Sequence, residues 1–389
     1  MMRVIFTFTL LVFLIAPAKG ETPKIEISDP LPATTMLRTL HAVQDRIATG
    51  DAASLPLQKH LLELIAPSIA GLAKVKTPDA LLEERNTAFI LYALSGGAAD
   101  TARGALAVID HDEPLRALAH AVADNIGGRR VRALRRFLKI EMTSLPVSLV
   151  PYVALAKGQL LAQSEPDAGI VLLSIVGQLA PGTLLEEAAL RRKLQLALRG
   201  KMAARFYAAA RQYTYRFIGS PYRASFAQAL QKAAVEFPEH GDDLDAVLAL
   251  MPENLRSPMQ VRIARMALLA GQDGLARKMV QRVDIEGQVG EVARRTQSLF
   301  VEAVSRLAGK DVKEQRKILV SLDRRFLNAE DKKLVDVAVA IADTIVSPVS
   351  RAAGTQKQST TDRLPVVGLA NETLAAVDAL LSESDGAKP

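Results

Sequence analysis

APGTLLEEAALRRKLQLALRGKMAARFYAAARQYTYRFIGSPYRASF, residues 180–226, is the stretch that decides the fold. Pro181 and Gly182 break the preceding element. Thr183 stands three residues before Glu186, the spacing of a capping box in which the hydroxyl accepts from the Glu186 amide while the carboxylate reaches back. Acids in the first turn (Glu186, Glu187) with bases behind them (Arg191, Arg192, Lys193) suit the helix dipole. Glu187 and Arg191, four apart, are expected to pair on the exposed side. Gly200 stops this helix. A second, from about Met202 to Ile218, sets Phe206, Tyr213 and Phe217 on one side. Seven of the seventeen Phe and Tyr residues fall between 206 and 226, so this hairpin is expected to anchor the core. Aromatics at helical spacing are first of all packing residues. The functional alternative interleaves Arg211, Arg216 and Arg223 with Tyr213, Tyr215 and Tyr222 as a partner-binding face, since Arg and Tyr are enriched at interfaces.

Helical periodicity extends in both directions. Residues 21–35, rich in Pro and Thr, read as an extended lead-in. From Met36 the apolar positions Leu37, Leu40, Val43 and Ile47 recur at spacings of three and four until Gly50. Pro56, Pro67, Gly71 and Pro78 punctuate the chain after that glycine. A helical segment from about Leu81 carries Phe89, Leu91, Tyr92 and Leu94 into Gly96-Gly97. That pair, Gly127-Gly128 and Gly158 predict turns at intervals of 31 residues, each between two helical segments. A period near thirty with two helices per unit is the mark of hairpin repeats of the tetratricopeptide kind, whose units must stack to bury their apolar faces. Gly158, Leu161, Ala168, Leu172, Ile175 and Pro181 come nearest to that pattern, about one residue short and without its Trp.

Further helical segments fall at 223–236, 242–250, 288–308, 311–327 and 330–346, and a hairpin turns at Gly271. No stretch shows strand alternation over more than four residues. The body, 36–346, is therefore expected to be all-α: stacked helix hairpins in an irregular tetratricopeptide-like superhelix. Residues 347–365 are polar and aperiodic and read as a flexible linker. Beyond them, 366–389 hold a short amphipathic C-terminal helix (Leu369, Leu374, Val377, Leu381) and a polar tail.

Residues 1–20 read as a signal peptide: Arg3, then a mostly apolar run from Val4 to Ala16, then small residues at Ala18 and Gly20. The run is short of the roughly 20 residues a spanning helix needs, and no later stretch qualifies, so no stable membrane span is expected after cleavage. Cleavage after Gly20 removes Arg3 and Lys19 and lowers the net charge from +7 to +5. An exported basic protein seldom meets nucleic acid. Its natural targets are an acidic partner protein, an anionic membrane surface or peptidoglycan. The absence of cysteine excludes disulfides and thiol chemistry.

Chemical signatures are missing. The histidines, among them His41, His60, His111 and His120, lack metal-ligand spacing. Asp242, Asp243 and Asp245 lack the rest of a calcium loop. Ser95, before Gly96-Gly97, reads as a turn residue without the elbow of a nucleophile. No cofactor is expected. The run GRRVRALRRFLK, 128–139, is different: on a helix Val131, Leu134 and Leu138 face one way, and Arg129, Arg132, Arg136 and Lys139 share another. That basic face is either a solvated surface or an electrostatic landing strip for an acidic partner.

The blocks APGTLLEEAALRR (180–192), YRFIGSPYRASF (215–226), VQDRIATGD (43–51) and RNTAFILYALSGG (85–97) resemble the MotC family of periplasmic motility proteins, in the same order. The resemblance runs from about residue 36 to about 270. It implies a periplasmic, non-catalytic protein that binds the periplasmic part of the flagellar stator protein MotB and supports flagellar rotation. It assigns no role to particular residues. Two other readings compete: a general periplasmic helical scaffold, and the superhelical part of a lytic-transglycosylase-like cell-wall enzyme.

Overall fold

The computed structural model describes residues 30–110, 113–283 and 290–346. The expected signal peptide, the linker, the C-terminal helix and His111 lie outside them. Among the described residues there are seventeen α-helices and no strand. Contacts divide the chain into a unit ending at Ala342 and one beginning at Asp343; the hairpins belong to the first.

The helices form hairpins in chain order: α1 (Pro30–Thr49) with α2 (Leu55–Leu72), α3 (Leu82–Leu94) with α4 (Ala99–Ala107), and α5 (Glu113–Ile126) with α6 (Arg130–Leu138). Next come α7 (Val150–Leu161) with α8 (Pro166–Leu179), and α9 (Leu184–Arg199) with α10 (Ala203–Phe217). The regular pairing then lapses. α11 (Arg223–Glu236) packs on α9 and on α13 (Glu253–Leu269), while α12 (Gly241–Ala249) packs on α10. It resumes with α13 against α14 (Asp273–Val280) and α15 (Glu291–Ser305) against α16 (Val312–Ser321); α17 (Ala329–Val346) closes the series.

The glycine turns at 96 and 128 are as expected, for a backbone reason. Both residues are left-handed, with φ +93° and +73°. The amide after each reaches back into the helix, from Gly97 to the Tyr92 carbonyl and from Arg129 to the Asp124 carbonyl. That is the Schellman stop, which favours glycine.

Four expectations give way. Gly158 is no turn but lies inside α7, where it meets Gly169 of α8. A Cβ on Gly169 would stand 3.1 Å from the Gly158 carbonyl oxygen, so the two glycines set a close crossing of backbones. The buried side chains of α8 are Ile170, Leu173 and Val176, beside buried Gly169, and the expected Leu172 and Ile175 are only half-buried. Residues 30–35 are helical instead of extended: α1 starts at Pro30, because Pro30 and Pro32 sit in the first turn, where amides need no partner. Pro67 lies within α2; it and Glu63, whose carbonyl loses its donor, both face solvent, so water can replace the bond.

The Gly158–Gly169 crossing yields a test. Gly169→Val should lower stability by about 1–3 kcal/mol in denaturant melts, with Gly169→Ala less affected. An unchanged midpoint in both would mean that the two helices part without cost.

One contact reaches far along the chain. The C-terminal half of α1 lies against α9 and α10: Asp45 Oδ1 accepts from the Leu184 amide at 3.0 Å. A Cβ on Gly50 would come within 3.3 Å of the Gly219 carbonyl oxygen, so these backbones nearly touch.

Candidate partner-binding surface

The α9–α10 hairpin is the core anchor its spacing predicts. Phe206, Tyr213 and Phe217 are fully buried, and so are Tyr207 and Phe226; Tyr213 stacks on Phe226 at 4.6 Å between ring centroids. Thr183 caps α9, its Oγ1 accepting from the Glu186 amide. The Glu186 carboxylate reaches back one residue further than a capping box requires, to the Gly182 amide at 2.6 Å. Both adjacent glutamates are buried. Glu186 takes both carboxylate bonds from Arg216 Nη1 at 2.8 Å and one from Gln212. Glu187 pairs with Arg191 at 2.9 Å, as its spacing predicts, but inside the protein instead of on the exposed side. It also accepts from the Tyr213 hydroxyl at 2.8 Å and from Ser220.

These contacts sort the expected aromatic face. Tyr213 is core and its hydroxyl is spent on Glu187. Tyr222 is half-buried under the Arg191 guanidinium, 5.1 Å from its ring centroid. Arg216 is committed to Glu186, and Arg211 to Asp243. Tyr215 is 78% exposed and available to a partner.

The basic run on α6 holds the more distinctive arrangement. Asp124, near the end of α5, is buried, and three guanidiniums close on its carboxylate: Arg129 at 2.8 Å, Arg132 at 2.9 Å and Arg136 at 3.0 Å. The Schellman turn is what brings α6 back over Asp124. Burial works against the carboxylate, but Arg132, Arg129 and Arg136 outweigh it and hold its pKa below the ordinary range. The three arginines are thus ordered around one buried charge and keep a net positive head. Lys139 caps the C-terminus of α6 and is exposed.

The apolar side of α6 differs from expectation. Ala133 and Phe137 are the buried positions, whereas Val131 is 70% and Leu138 48% exposed. Val131, Arg135 and Leu138, spaced four and three, therefore form an outward stripe beside exposed Arg130. The positive surface continues onto α9. Burial lowers the pKa of Arg192, and the neighbouring charges of Arg199, Arg130 and Arg191 lower it further.

Chain order hid another cluster. His41 Nε2 lies 3.0 Å from Ser95 Oγ, Gln44 donates to the Ser95 carbonyl, and the Tyr152 ring packs on His41 at 5.5 Å between centroids. The cluster borders a cavity of about 380 Å³. Burial lowers the His41 pKa to about 4 and raises that of Tyr152 to about 12, so both are neutral at pH 7. A serine–histidine pair alone is not a nucleophile: the base needs a third group to orient it. Among the described residues no carboxylate binds the other imidazole nitrogen, and Asp45 is committed to the Leu184 amide. Ser95 also caps the C-terminus of α3, the wrong end of a helix for stabilising an oxyanion.

Asp243 is paired with Arg211 and His240, and Asp245 with Lys278 and Arg282. Among the described residues no group of three or more His, Asp or Glu could hold a metal ion. Nor, among them, is any helix long and apolar enough to cross a membrane.

Comparison with known proteins gives a family model described as "Chemotaxis protein MotC" that matches residues 1–386. The Chemotaxis protein MotC of Rhizobium meliloti (strain 1021) is 27% identical over 352 residues, which cover 86% of this chain and 77% of that protein. No solved structure matches.

Proposed function

The chain belongs to the MotC family of chemotaxis proteins, and from that premise we propose that it works in the periplasm, binding the periplasmic part of the stator protein MotB without catalysing a reaction. In this reading it stabilises or orients that segment and so supports flagellar rotation. Residues 1–20, with one charge ahead of a short apolar run, support the location. The observation that carries the binding role is the outer surface of α6. It combines exposed Val131 and Leu138 with arginines that Asp124 has already ordered, so a partner loses less side-chain freedom there on docking. Tyr215 is a second candidate contact, and peptidoglycan is a compatible neighbour for a basic surface of this kind.

The purified chain should bind the periplasmic segment of its cognate MotB. Arg130→Glu with Arg135→Glu leaves the Asp124 cluster intact, so it tests the surface without disturbing the fold. Reversal at Arg132 or Arg136 would instead place a second carboxylate beside a buried one. The double variant should bind at least tenfold more weakly at low salt, with less difference at high salt, because exposed charges act over about 10 Å at 0.1 M. Equal binding with the fold intact would remove the α6 surface. Absence of binding by the unaltered chain, with normal swimming of a deletion strain, would remove the stator reading as a whole.

A further inference from the structure

We propose that the face formed by α11, α13 and α15 is a second binding site, a groove for a peptide segment of a partner protein in which apolar side chains are followed by a carboxylate. Two cavities adjoin here. One, of about 610 Å³, has walls from Ile218, Phe226, Leu255 and Met259. The other, of about 350 Å³, has walls from Arg265, Arg294 and Phe300. Pro258 and Arg262 of α13 line both, so the apolar cavity opens beside the cationic one.

The guanidiniums say what the cationic end accepts. Arg265 is spent: it holds Asp331, which lines the same cavity and is neutralised by this pairing, at 2.7 Å, and Glu330 at 2.9 Å. Arg262 is exposed and has no acidic partner among the described residues. Nε and Nη2 of Arg294 are buried and have no hydrogen-bond partner among the described residues. Leaving buried guanidinium donors unpaired is costly, and their planar fork matches a carboxylate, which would supply two acceptors at once. The neighbouring cavity offers apolar walls, among them a methionine, whose unbranched side chain adapts to different shapes. An isolated small anion would satisfy the arginines but leave the larger cavity unused. A peptide with apolar residues ahead of a glutamate uses both. This site is distinct from the α6 surface and does not depend on the identity of the partner there.

The test uses two dye-labelled, C-terminally amidated synthetic peptides, one of four leucines followed by two glutamates, and its twin ending in two glutamines. Fluorescence anisotropy with the full chain at low salt should show the glutamate peptide binding at least tenfold more tightly than the twin. Arg262→Gln, an exposed change that leaves the core untouched, should weaken the glutamate peptide severalfold. Arg294→Gln should abolish the preference, and Arg294→Lys should restore it only partly, because an ammonium keeps the charge but loses the fork. The inference is overturned if both peptides bind equally, or if Arg262→Gln and Arg294→Gln leave the preference intact. It is also overturned if inorganic phosphate or anionic phospholipid vesicles displace the peptide at concentrations no higher than the peptide's own Kd, which would mark a general anion site. Concentration-dependent dimers in sedimentation that Arg262→Gln dissociates would reassign the face to a second copy of this chain.

Discussion

Glu187→Ala should cost the protein about 3–5 kcal/mol, the range seen when one partner of a buried charge pair is removed. The fully buried Glu187 carboxylate takes bonds from Arg191, Tyr213 and Ser220. Truncation leaves the Tyr213 hydroxyl without its acceptor in the aromatic core. It also leaves the Arg191 guanidinium against the Tyr222 ring with no carboxylate to balance it. Tyr213 cannot compensate by ionising, because burial, the largest cause of its raised pKa, persists in the variant. Glu187→Gln keeps an acceptor and loses only the charge, so it should fall between wild type and alanine. Urea midpoints for the three proteins check this. A loss below about 1 kcal/mol in the alanine variant would show that the hairpin reseats these groups freely.

Acidification from pH 7 to pH 4.5 should remove about 2–3 kcal/mol through His41 alone. Its pKa is about 4 in the folded chain against 6.5 when unfolded. Between those values the unfolded chain binds the extra proton, so stability falls as the pH drops through that window and levels off below about 4. Burial is the cause, and the groups around the imidazole do not cancel it. Ser95 is neutral, and Tyr152 stays protonated throughout. Asp45, one turn along α1, has its own pKa raised by burial, so it gives up its charge earlier on acidification. Asp124, with a depressed pKa, loses its contribution only at lower pH. His41→Gln, compared with wild type at both pH values, should show a visibly smaller loss. Parallel losses in the two proteins would assign the pH dependence elsewhere.

The parts of the molecule legible in the chain are those governed by neighbours in sequence. Thr183, Gly200 and the apolar spacing set α9 and α10 to within about a residue, because caps and periodicity act over one turn. Prolines mislead wherever their geometry is harmless, at Pro30 in a first turn and at Pro67 on a solvent-facing side. Gly158 misleads for the opposite reason. Its spacing looks like a backbone signal, but its role is the space it leaves for α8, which depends on Gly169 in the next helix. The basic run is visible, but its organising acid is not marked. Asp124 is within reach of suspicion, since it lies shortly before Arg129 across a glycine turn. The exposure of Val131 and Leu138 is not, because it depends on α6 offering its other side to α5 and α7. His41 and Ser95 are 54 residues apart and carry no local sign of meeting.

Where α1 is seated has a consequence for the order of assembly. Its N-terminal half, with Leu37 and Leu40, joins the core shared with α2 and α3, which are made directly after it. The C-terminal half docks through Asp45 to Leu184, 139 residues later. At about 5–20 residues per second, synthesis takes roughly 7–30 s to deliver that seat. Throughout the interval the C-terminal half of α1 has no α9 or α10 to lie against, and the closing loop is long enough to slow the search for them. The first of the described helices is therefore among the last to be completed. A holding chaperone that grips the end of α1 would protect the nascent chain without delaying the hairpins between.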